Sequence, residues 1–127
     1  MPIRSENIKL YPGGSIKSPE WLAIRAFIRS RAGDCCEGCG VHNYWIGVWT
    51  RVAGGGEFFL PVKPHIALGA ITQYGKVIQI VCTVAHVDHD VTHNHETNLR
   101  FWCQRCHNRH DAKHRQANRR SHAPRPH

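Results

Sequence analysis

No stretch of this 127-residue chain is long and apolar enough to span a bilayer. The longest apolar run free of charge, residues 77–86, holds about ten residues, where ~20 are needed. A membrane-crossing helix is thereby excluded. The first residues, Met1-Pro2-Ile3-Arg4, lack the apolar core and small-residue cleavage site of a secretory signal, which sets the expectation of a cytoplasmic protein. Acidic residues are scarce, nine against 17 Lys and Arg, and scarcest at the end of the chain. Residues 1–98 carry nine basic and eight acidic side chains, whereas residues 99–127 carry eight basic ones against Asp111 alone. The net charge of +8 thus sits almost wholly in the last quarter. That is the footprint of a surface that neutralises phosphates, the alternative being a solubilising tail. Internal repeats are lacking too, and 127 residues with a mean hydropathy of −0.46 leave room for one domain with a modest core.

What is present divides the chain into five stretches. Residues 1–17, with Pro2, Pro12, Gly13 and Gly14 and no periodicity, read as an irregular arm. Residues 18–40 open with a helix: Ser18 is the N-cap, Pro19 the first helical residue, and Trp21, Ile24, Phe27 and Ile28 recur at helical spacing up to a stop at Gly33. Residues 41–76 hold Trp45, Trp49, Phe58 and Phe59 around Gly54-Gly55-Gly56, the pattern of an inserted aromatic hairpin or long loop over roughly 44–64. Its aromatic rings suit core packing better than base stacking. Residues 77–116 begin with a strand buried on both faces over 76–85, with His86 at its end. A polar turn region, a short return strand over 98–103 and a helix from Gln104 to about Gln116 follow, with His107, Asp111 and His114 at helical spacing. Residues 117–127 read as a basic, disordered tail.

Six cysteines in a reducing compartment point to metal rather than disulfides. Cys36-x-x-Cys39 and Cys103-x-x-Cys106 are spaced so that both sulfurs of each pair reach one ion at about 2.3 Å. Four thiolates complete a tetrahedron and leave no open position, so the expected Zn²⁺ is structural and ties together pairs 63 residues apart. Cys35 competes with Cys36 but would give a Cys-x-x-x-Cys spacing, and Cys82 reads as a small buried hydrophobe.

The remaining chemistry lies in Ala85-His86-Val87-Asp88-His89-Asp90, Asn98-Leu99 and Cys103-Gln104-Arg105-Cys106-His107. Together these resemble the HNH endonuclease family, in its small zinc-stapled form frequent in phages and bacteria. The resemblance covers residues 82–114, and Cys36 and Cys39 join it through the zinc. The family's three initials map to His86, Asn98 and His107 rather than to the literal His93-Asn94-His95 in the predicted loop. The resemblance implies an α+β fold with a ββα-metal (His-Me finger) core. It also implies hydrolysis of DNA phosphodiester bonds, by nicking or double-strand cutting, to leave a 5′-phosphate. A divalent cation such as Mg²⁺ or Mn²⁺ and a histidine base divide the work. His86 is the expected base, His107 a metal ligand, and Asn98 the residue that fixes the loop. Many members carry a metal-binding residue just before the first histidine, where this chain has Ala85. Asp111, four residues after His107 on one helical face, is the best substitute, with Asp88 as the other option. Asp88-His89 also matches the family's acid-histidine pair displaced by three residues, which makes His89 the rival base. Arg105, Arg109, Lys113, Arg115, Arg119 and Arg120 are the expected DNA contacts. The alternative function is a zinc-stapled DNA-binding module that has lost catalysis.

Overall fold

A computed structural model of the chain describes residues 8–122, the side chains of residues 118 and 120–122 excepted. It is a mixed α+β arrangement in which two helices flank small antiparallel sheets. Helix α1 spans Pro19–Arg31 and starts as its sequence dictates: the Ser18 hydroxyl accepts the Trp21 N–H at 3.2 Å, and Pro19 needs no donor partner. It buries Trp21 and Ile28.

The aromatic insertion is a hairpin. Strands β1 (Ile46–Arg51) and β2 (Glu57–Pro61) pair antiparallel from Gly47↔Pro61 to Arg51↔Glu57. The link between them contains Gly54 and Gly55, whose φ of 101° and 100° few other residues would tolerate. A small hairpin of β3 (Ile71–Thr72) and β4 (Gly75–Lys76) follows, and β5 (Ile78–Gln79) pairs with the other edge of β1. The single strand expected over 76–85 is therefore divided. Its first half completes the insertion's sheet, and the chain then crosses to a second sheet as β6 (Cys82–His86). Backbone bonds from Tyr44 N–H to Ile80 C=O and from Ile80 N–H to Trp45 C=O hold the crossing.

Strand β6 pairs with β7 (Leu99–Cys103) in five-residue register from Cys82↔Cys103 to His86↔Leu99. Helix α2 (Gln104–His122) follows β7 without a linker and runs past the expected Gln116, since Ala117, Arg119 and Arg120 are good helix formers. Residues 123–127 of the expected tail lie outside the described residues, as do residues 1–7 of the arm. The main core joins Ile28 of α1 to Cys36, Phe59, Ile80, Cys82, Leu99, Phe101 and Cys103. Full burial of a side chain such as Ile28 or Leu99 contributes about 1.5–3 kcal/mol. No helix among the described residues is long and apolar enough to cross a membrane.

Candidate functional site

The sulfurs of Cys36, Cys39, Cys103 and Cys106 lie within 4.8 Å of one another, with Cys39 and Cys103 at 3.7 Å. A tetrahedron with bonds of about 2.3 Å has sulfurs about 3.8 Å apart, so the four residues can hold a structural metal such as zinc. Backbone amides complete the knuckles: Cys36 Sγ accepts N–H groups from Gly38, Cys39 and Cys103 at 3.3, 3.5 and 3.3 Å, and Cys103 Sγ accepts that of Cys106 at 3.5 Å. Gly38 is required here because a Cβ would stand 2.8 Å from Cys106 Sγ. The thiol of Cys103, with those amides, pulls the Cys36 thiol down to about 4; the same contact pushes Cys103 up, and burial raises Cys106 to about 12. A dication is what would let all four thiols ionise together. Cys35 stands apart, its sulfur 3.5 Å from His42 Nδ1, and Cys82 is buried in the core with its thiol raised to about 12 by desolvation.

The first knuckle also closes the free edge of β7. Glu37 N–H donates to Phe101 C=O at 2.7 Å and its carboxylate accepts the Phe101 N–H at 2.8 Å, while Arg31 pairs with Glu37 and donates to Leu99 C=O at 2.6 Å. Helix α1, the knuckle and the β6–β7 pair are thereby one unit.

The side-chain alternation of β6 and β7 decides which histidines can meet. Cys82, Val84 and His86 share a face with Phe101 and Leu99, and that face packs on α1. His86 is buried there. Its ring stacks on Trp21 at 5.6 Å, meets Tyr11 edge-on at 5.8 Å, and its Nε2 pairs with Asn94 Oδ1 at 2.8 Å. The opposite face carries Trp102 and receives α2, whose inward stripe is His107, His110, Asp111 and His114 instead of apolar residues. His89, just beyond β6, joins that stripe.

Asp111 is the centre of this second cluster and is 2% exposed. His89 Nδ1 lies 3.7 Å from Asp111 Oδ1, and His107 Nε2 lies 3.7 Å from Asp111 Oδ2. Both gaps are too long for hydrogen bonds. Asp111 Oδ2 and His89 Nε2 are buried without a hydrogen-bond partner. The His89 ring stacks on His110 at 4.8 Å and on His114 at 3.8 Å, and its backbone has a φ of 62°. Burial, followed by the charges of His114 and His110, lowers the His89 pKa; burial likewise lowers that of His107. His89 and His107 thus stand on either side of one buried carboxylate, while among the described residues the four cysteines are the group whose ligand atoms lie close enough together to hold one metal ion.

The loop between β6 and β7 is held by Asn98. This buried side chain donates to Asp88 Oδ1 at 2.9 Å and to His93 C=O at 2.8 Å, and accepts the Asp88 N–H at 3.3 Å. Asp88 is further committed to His93 Nδ1 at 2.6 Å and the Asp90 N–H at 2.9 Å, and the His93 contact leads the causes that depress its carboxyl pKa strongly. The structure therefore brings together His89, His107 and Asp111, and places His86 and Asp88 elsewhere. Asn94, from the literal His93-Asn94-His95, serves as the brace of His86.

Of the expected DNA contacts, Arg105 forms an ion pair with Glu57 and lies 4.4 Å over the Trp49 ring, which fastens the insertion to α2. Arg109, Lys113, Arg115 and Arg119 are exposed, and the side chain of Arg120 lies outside the described residues. At about 100° per residue, Arg115 and Lys113 border the inward stripe on its two sides, whereas Arg119 and Arg109 lie farther round the helix. His110 was not singled out in the sequence, although its place three residues after His107 on the inward stripe was legible. Scans of the chain against protein-family models, curated proteins and solved structures find no match.

Proposed function

We propose that this chain is a metal-dependent endonuclease of the HNH type that hydrolyses DNA phosphodiester bonds, with His89 as its base. The observation that supports it is the buried Asp111 carboxylate between His89 and His107, one oxygen unpartnered, on a helix that directly follows an antiparallel strand pair. In this reading β6, β7 and α2 form a ββα-metal core. His107 and Asp111 would hold a divalent cation, which would stabilise the charge that develops on the phosphate. His89, unprotonated at neutral pH, accepts a proton from water. The resulting hydroxide attacks phosphorus, the P–O3′ bond breaks, the 3′-oxygen leaves and takes a proton from a solvent water, and a 5′-phosphate end remains. His89 Nε2 is covered here, so water reaches it only when the groups packed over it move. Asn98 holds that loop, and the four-cysteine metal fixes the first turn of α2, since Cys106 adjoins His107. Lys113 and Arg115 supply affinity for the DNA backbone beside the site.

The alternative, a DNA-binding module without catalysis, draws on the engagement of Asp88 by His93 and Asn98, which leaves Asp111 as the one carboxylate at the cluster. Incubating the zinc-loaded protein with labelled duplex DNA in Mg²⁺ or Mn²⁺ separates the two. The nuclease yields ligatable 5′-phosphate fragments that Asp111→Asn does not produce; tight binding with no fragments establishes the module instead.

A further inference from the structure

The geometry points to His110 as a positioning residue that presents His89 by hydrogen-bonding the backbone of Val87, a role that rests on the nuclease reading above. His110 Nε2 lies 2.7 Å from Val87 C=O, and since a carbonyl only accepts, that nitrogen must carry the proton. Val87 N–H in turn donates to Asn98 C=O at 2.9 Å. The residue that leaves β6 is therefore held from both sides, by α2 through His110 and by the end of the loop through Asn98. Two residues later His89 adopts a φ of 62°, a left-handed conformation that a non-glycine residue keeps only where its surroundings impose it. The His110 ring is itself fixed, parallel to that of His89 (4.8 Å, 6°) and tilted against Trp102 of β7 (4.9 Å, 55°). One side chain thus links the strand pair, the helix and the loop that carries the base. Its Nε2 is engaged by the carbonyl, so His110 does not use that atom to hold a cation.

Two substitutions separate its hydrogen bond from its ring. His110→Phe keeps a flat ring against His89 and Trp102 but loses the donor, whereas His110→Gln loses the ring and keeps an N–H at nearly the reach of Nε2. In zinc-loaded protein of unchanged circular dichroism, His110→Phe should lower kcat on plasmid DNA roughly tenfold to a hundredfold, the scale of a misplaced catalytic group, with KM within about twofold of wild type. His110→Gln should recover most of the loss. A wild-type kcat in His110→Phe, an equal loss in both variants, or an effect confined to KM would overturn the proposal. Imidazole nitrogen NMR of the wild-type protein gives a readout free of activity and of variant folding: His110 should show a protonated, slowly exchanging Nε2. A bare Nε2 on His110 overturns the inference even if the protein cleaves DNA; a protonated Nε2 in a protein that never cleaves overturns the nuclease reading and leaves the hydrogen bond standing.

Discussion

Asparagine in place of Asp111 should stabilise the protein while it abolishes cleavage. The carboxylate is 2% exposed and its Oδ2 has no partner, and a buried polar atom left in that state costs about 1–3 kcal/mol. At pH 8 neither His89 nor His107 offsets the charge, because both ring pKa values are lowered from an ordinary 6.5 and the rings are neutral. An asparagine amide at the same place can donate to His89 Nδ1 or His107 Nε2, each now 3.7 Å from a carboxylate oxygen. For a chain of this length 1 kcal/mol moves Tm by about 4 °C, so Asp111→Asn should melt roughly 4–12 °C higher. The assay is thermal unfolding by circular dichroism at pH 8, in buffer freed of loosely bound metal and with the zinc content of both proteins matched. Adding Mn²⁺ should then raise only the wild type, by about 2.7 kcal/mol at a hundredfold excess over its Kd. A lower Tm for Asp111→Asn in the depleted buffer, or an equal response of both proteins to Mn²⁺, would refute the reasoning and make Asp111 a structural partner of the two histidines.

Other perturbations probe the surrounding parts. Gly38→Ala pushes a methyl group toward Cys106 Sγ, which a Cβ at that position approaches to 2.8 Å, so bound zinc measured by atomic absorption should fall and Tm with it. For the neutral histidines the sign is fixed by their lowered pKa values: the unfolded chain takes up protons first, so their contribution is whole above pH 6.5 and is lost as pH falls below it. Melting temperature should therefore drop between pH 7 and 5, and less steeply in His89→Phe. Replacing Lys113 and Arg115 with Ala should lower the salt dependence of DNA binding by about one unit of log–log slope for each phosphate no longer neutralised. The same change at Arg109 and Arg119, farther round α2, should lower it less.

The parts of this molecule legible in its sequence are those specified by local chemistry. Ser18 and Pro19 mark the start of α1, the glycines at 54–56 mark the hairpin, and the two Cys-x-x-Cys pairs mark a cluster whose sulfurs do meet. Cys36 was separable from Cys35 by spacing alone. The place of His86 was harder to read because it depends on long-range pairing. Once Val84 is known to pair with Phe101, strand alternation puts His86 on the α1 face, and Val87 and His89 lie beyond the strand, in the turn that meets α2. That parity cannot be read before the register is known. The inward stripe of α2 was half visible, because His107, Asp111 and His114 share a helical face, yet nothing local marked His110 as bound to Val87. Strands β3, β4 and β5 are two residues each, too short to carry a period, which is why residues 76–85 read as one strand.

The central claim is that His89, and not His86, stands at the reacting centre. Supercoiled plasmid incubated in Mn²⁺ with zinc-loaded wild type, His86→Ala and His89→Ala tests it most directly. The wild type should nick. His86→Ala should nick too, though about 1–3 kcal/mol less stable for the missing stack on Trp21 and the orphaned Asn94 oxygen, and His89→Ala should leave the plasmid supercoiled. Cleavage that survives in His89→Ala and disappears in folded His86→Ala, or a wild type inert in Mg²⁺, Mn²⁺ and Ni²⁺ alike, would contradict the account.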